Sequence, residues 1–128
     1  MEKVTGIGGV FFRARQPEAL ARWYFERLGI DTVGDAGAWW QEAGPTVFAP
    51  FESETDYFGR RDQQWMLNFR VSDLDAVLAA LRSAAVPVDD EVQVMDGIGR
   101  FGWATDPEGN RFELWEPAPE TLRPREPA

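Results

Sequence analysis

The chain has 128 residues, 44% hydrophobic and 27% charged, which is one domain's worth with a real core and leaves a second domain out. It contains neither cysteine nor histidine, so disulfides, thiolate and imidazole metal sites, and His-dependent triads and dyads are excluded, and chemistry falls to carboxylates, Arg, Tyr, Asn or backbone. A net charge of −9 argues against nucleic acid, whose binding draws on Lys and Arg neutralising phosphates, and favours a cationic or neutral ligand, with solubility as the plainer use of the charge.

No apolar run approaches the roughly 18 residues of a membrane span, and MEKVTGIGG reads as no secretory signal, so no membrane partner is expected. The lack of cysteine makes the cytoplasm the default compartment. Residues 6 to 14, GIGGVFFRA, read as a strand. Pro17 opens a helix, Leu20, Trp23, Tyr24 and Leu28 form its apolar stripe, and Gly29 ends it. Short strands are expected near 30 to 33, at 38 to 42 (AWWQE) and at 46 to 51 (TVFAPF), separated by Gly34, Gly37, Gly44 and Pro45. Residues 52 to 63 are a polar connecting loop.

A second pass begins with WMLNFRV at 65 to 71 as a strand. Ser72 and Asp75 resemble a capping box for a helix striped by Leu74, Val77, Leu78 and Leu81. Strands follow at 86 to 88, at 99 to 105 and in RFELW after the turn DPEGN, whose Pro107, Gly109, Asp106 and Asn110 are turn formers. The order strand, helix and three strands thus occurs twice, with Phe12-Arg13 and Phe69-Arg70 matching at an offset of 57. The tail APETLRPREPA, 118 to 128, has the composition of a disordered or loosely docked end.

The pattern closing in DPEGNRFELWEP, with WMLNFRV running into SDLDAVLAAL and with PEALARWYFERLGI before them, resembles the vicinal oxygen chelate superfamily over residues 7 to 117. That group includes glyoxalases, extradiol dioxygenases and bleomycin-resistance proteins. The resemblance implies an α+β fold of two βαβββ modules forming curled mixed sheets around a cavity, the glyoxalase/bleomycin-resistance-like fold, commonly completed by a dimer. It divides a single domain, 1 to 117, into module one at about 6 to 52, a linker at 53 to 63 and module two at about 64 to 117. In metal-dependent members four strand positions reach a divalent ion, and these fall here at Gly9, Phe48, Met66 and Glu113. Only Glu113 can bind a hard or borderline metal, so the chain looks closer to metal-free members and no cofactor is expected.

Strand alternation then gives a candidate lining. With Glu113 facing the cavity, Trp115 does too, and Gly9, Phe11, Arg13, Met66, Asn68 and Arg70 lie on the matching faces, leaving Val10, Phe12, Leu67 and Phe69 to the helices. Phe48, Pro50, Trp40 or Trp39, and Trp103 or Phe101 supply further walls. The plainer readings are a Trp-rich core, Asn68 bonding a neighbouring segment, Arg13 or Arg70 paired with Glu113 in place of a metal, and Tyr57 either anchoring its loop or closing the cavity mouth. For the arginines the ion pair is the preferred reading. The function expected is metal-independent binding or sequestration of a small hydrophobic, cationic or neutral molecule by a homodimer. The alternatives are a lyase, isomerase or dioxygenase using Glu113 as general base, and an interaction module whose own side chains fill the cavity.

Overall fold

A computed structural model of the chain describes residues 1–32 and 37–124. Helix α1, Pro17–Leu28, begins with Pro at its first turn and closes on Gly29, whose φ of 71° is the left-handed conformation that a residue without Cβ adopts most easily. Four strands follow the loop region: β1 (Asn68–Arg70), β2 (Gln93–Met95), β3 (Gly99–Thr105) and β4 (Arg111–Pro117), with helix α2 (Leu74–Ser83) between β1 and β2. They form one mixed sheet in the order β1-β4-β3-β2, β1 parallel to β4 and the other pairs antiparallel. This is the small α+β arrangement expected, with strand, helix and three strands in the second half of the chain.

Both helices pack on one face of the sheet. Leu20 and Tyr24 from α1, Leu74, Leu78 and Leu81 from α2, and Ala104, Phe112 and Leu114 from β3 and β4 make the buried core. Phe112 and Leu114 are thus turned to the helices and Glu113 to the opposite face, as the alternation of RFELW requires. Gly102 leaves room for that packing: a Cβ there would stand 3.1 Å from both Leu78 methyl carbons, which would have to shift by a few tenths of an ångström.

Several expectations need correction. The segments 6–14, 38–42 and 46–51 form no strand, nor do residues 30–32, and Val33 with Gly34 lies outside the described residues. Strand pattern in a sequence says that a segment suits a ladder, and a ladder also needs a second strand beside it. Residues 86–88 contribute a single bridge, Val88 to Ala104, while the short strand is at 93–95, set by pairing with 99–101. The α2 cap is Asp73 rather than Ser72: its side chain accepts the Ala76 N–H at 3.0 Å, a bond available only to the residue directly before the first helical turn. At the start of the tail the Ala118 N–H donates to Ile98 O at 2.9 Å and a 3-10 turn spans Pro119–Leu122, whose Pro119, Glu120 and Leu122 are exposed.

Candidate functional site

The helix-free face of the sheet carries Glu113 at its centre. Parity on β4 puts Arg111, Glu113 and Trp115 on this face, and the antiparallel register sets Trp103 of β3 opposite Glu113 and Phe101 opposite Trp115. Asn68 is the β1 partner of Glu113 and Arg70 that of Trp115. The loop at 52–63 lies over the face, bringing Tyr57 down on Glu113.

Glu113 is 9% exposed, and three uncharged side chains donate to it. Asn68 Nδ2 reaches Oε1 at 2.6 Å, and Trp103 Nε1 reaches Oε2 at 2.9 Å. The Tyr57 hydroxyl also donates to Oε2 and accepts a second contact from Trp103 Nε1 at 3.2 Å. Burial pushes the Tyr57 phenol up to about 12, with its hydrogen bond to Glu113 and the negative charge of that carboxylate adding to the effect. Around this centre Tyr57 meets Trp103 edge to face at 6.1 Å and stacks on Phe51 at 5.5 Å, and Phe101 lies parallel to Trp115 at 6.0 Å. The Arg111 guanidinium sits over the Trp103 ring at 5.5 Å and pairs with Asp89 at 2.9 Å.

The ion pair expected between Glu113 and Arg13 or Arg70 does not form. Arg70 donates to the backbone carbonyls of Pro45 and of Glu42, the latter at 2.8 Å, and so ties the 42–45 segment to β1. Arg13 lines a polar cleft of about 600 Å³ with Ala14, Arg15, Arg60, Glu108 and Asn110. Neutral donors satisfy the carboxylate, which removes the need for a cationic partner. Asn68, Trp103, Glu113 and Trp115 therefore share one face. Met66 is half-buried beside it, while Phe11, Trp40 and Phe48 are mostly exposed. Tyr57 is the one central residue that strand alternation could not supply, since a loop has no period. Its signal was the lone aromatic pair in a polar stretch.

The four positions at which the resemblance would place metal ligands hold Gly9, Phe48, Met66 and Glu113, and no group of three or more carboxylates among the described residues could hold an ion. Both Glu113 oxygens already accept from N–H or O–H donors. This donor set does not fit the three or four ligands of a catalytic metal centre.

A second concavity lies on the helix side. It is an apolar groove of about 290 Å³, lined among others by Leu28, Ile30, Trp39, Phe69, Val71 and Val77, along the helix-facing side of β1. No helix of the described residues is long and apolar enough to cross a membrane.

The profile of the glyoxalase-like domain family matches residues 9–115 of the chain. No curated protein matches it. Among solved structures, the chain is similar to TnmS3, an antibiotic binding protein from Streptomyces sp. CB03234, at 21% identity and a TM-score of 0.59, over 92% of this chain and 100% of that one. It is also similar to a glyoxalase-related enzyme from Fulvimarina pelagi, at 15% identity and a TM-score of 0.57, over 98% of this chain and 100% of that one. At these identities the likeness is one of fold.

Proposed function

Because the chain belongs to the glyoxalase-like domain family, we propose that it binds and sequesters a small hydrophobic molecule, cationic or neutral, on the face around Glu113, without a metal ion and as a cytoplasmic homodimer. The observation that carries this reading is a buried carboxylate held by three neutral donors among aromatic rings. A negative group held at the polar edges of Trp103 and Tyr57 attracts a cation, and the ring faces around it suit an apolar body. Arg111 over Trp103 already uses that attraction inside the chain, and a ligand's cationic head would compete with it. Tyr57 acts as the lid: its loop rests on Glu113 through one hydroxyl, with the Arg111 Nε–H donating to Tyr57 O at 3.1 Å. TnmS3 is an antibiotic binding protein of the same fold, but the reading rests on the site itself.

The enzyme alternative is weaker. A general base needs an oxygen open to the substrate proton, and both oxygens of Glu113 are engaged, Oε2 by two donors. Saturable quenching of tryptophan fluorescence by aromatic amines and quaternary ammonium compounds is the expected result. Glu113→Gln should weaken it by about tenfold, in line with roughly 1.4 kcal/mol lost with one charge. The absence of saturable quenching across a cationic and neutral hydrophobic set would overturn the binding reading. Stoichiometric metal in chelator-free protein, with a stabilising thermal shift, would overturn its metal-free part.

A further inference from the structure

The chain carries 22 acidic side chains against 13 basic ones, yet one cleft reverses that balance. The polar cleft of about 600 Å³ is lined by Arg13, Ala14, Arg15, Arg60, Glu108 and Asn110, three guanidiniums to one carboxylate. Cations gathered around a hollow repel one another unless an anion lies between them.

The groups that could neutralise them are engaged elsewhere. Glu108 accepts the backbone N–H of Arg15 at 2.6 Å through one oxygen and that of Gln16 at 3.0 Å through the other. These two bonds, with the Arg15 charge added, hold its carboxyl below the usual carboxylate range. Arg15 Nε stays 3.8 Å from that carboxylate, beyond hydrogen-bond length, on a side chain 81% exposed. Among the described residues the Arg13 side chain has neither a hydrogen bond nor an ion pair. Arg60 is fixed in place: its Nη1 donates to Glu108 O at 3.1 Å and lies 2.6 Å from the Cβ that Gly109 lacks. Its Nε meets Asp62 at 3.0 Å, a carboxylate that is 80% exposed and does not line the cleft. Asn110 spends its side-chain amide on Asp106, at 2.8 Å. The donors of Arg13 and Arg15 are thus left to whatever enters.

We propose that this cleft is a second ligand site, which takes a phosphate group, free or carried by a small molecule. Arg13 and Arg15 would grip it from the segment before α1, and Arg60 from the loop at 52–63. Guanidinium forks present paired N–H donors at the spacing of phosphate oxygens. Three guanidiniums less one carboxylate leave two positive charges, the match of a phosphate dianion, whereas a monocarboxylate leaves one cation unanswered. A long polyanion is disfavoured, because beyond the cleft it meets a chain of net charge −9. The Glu113 face calls for a cationic or neutral ligand, so the two sites select opposite signs, and this one stands whether or not that face binds anything.

Titration calorimetry of the full chain with inorganic phosphate, phenyl phosphate and acetate at constant ionic strength tests the site. Saturable binding of either phosphate is expected, with acetate at least about tenfold weaker. The tighter of the two phosphates names the source, the free ion or a monoester. Arg13→Ala and Arg15→Ala, both at exposed side chains and so without loss of packing, should each weaken binding by about tenfold. Arg22→Ala, which removes the same charge from an exposed position outside the cleft, should change it by less than about twofold. No saturation by either phosphate below about 10 mM overturns the proposal. So does acetate binding as tightly as phosphate, binding untouched by both cleft substitutions, or an equal loss in Arg22→Ala.

Discussion

Tyr57 is the residue on which the candidate site turns. Its phenol is raised from 10.0 to about 12, chiefly by burial and then by donating to Glu113, so the folded state favours the neutral form. The stability this contributes is complete below pH 10 and is lost as pH climbs through about 12. Tyr57→Phe should therefore flatten the alkaline limb of a plot of Tm against pH in that window, at a neutral-pH cost of about 1 kcal/mol. A limb unchanged by the substitution would mean that the hydroxyl does not rest on Glu113. Tyr24 is raised too, by burial and by its 2.7 Å bond to Asp106, but on the helix side and in the core. Asp106 has other donors in the N–H groups of Glu108 and Asn110 and the Asn110 amide, so Tyr24 orients α1 without being the sole support of that carboxylate. Asn68, Trp103 and Glu113 were legible in the sequence because strand period fixes which side chains share a face. Their hydrogen bonds were not, since the arginine expected to pair with Glu113 turned to loop carbonyls.

At the level of elements, α2 is the best specified and carries the sharpest stability predictions. Leu74, Leu78 and Leu81 are almost fully buried, and Leu78→Ala should cost about 2 to 5 kcal/mol in denaturant unfolding. The helix ends in a Schellman pair, Val86 N–H to Leu81 O and Ala85 N–H to Arg82 O at 3.0 Å each, which places Ala85 at φ 60°. Alanine is strained there, so Ala85→Gly should stabilise by about 1 kcal/mol, read from the same unfolding curves. Gly99 is the opposite case: at φ 140°, a Cβ would stand 2.2 Å from Glu116 O. Gly99→Ala should thus cost about 2 kcal/mol or more, because the first pair of the β3–β4 ladder has to open. The helices were readable because cap residues and the 3.6-residue stripe are local signals. The displaced short strand, 93–95 in place of 86–88, was not readable, because its position is set by what it lies beside.

For the molecule as a whole, the rings of segments 6–13 and 38–51 make up much of its exposed apolar surface. If a second copy covers them, unfolding is coupled to dissociation and Tm must rise with protein concentration. Calorimetry over a hundredfold concentration range should show that rise. A concentration-independent Tm would count against the homodimer.

The amino-acid sequence alone determined the two helices, the alternation that buries Phe112 and Leu114 and turns Glu113 the other way, and the poverty of metal-binding side chains. All of these depend on residue type and short-range spacing. Only the tertiary structure decided that neutral Tyr57, Asn68 and Trp103 satisfy Glu113, and that the strand-like first half stays outside the sheet. Hydrogen-bond partners and strand pairing are contacts between distant segments, and local pattern states what a segment can join without stating what stands beside it.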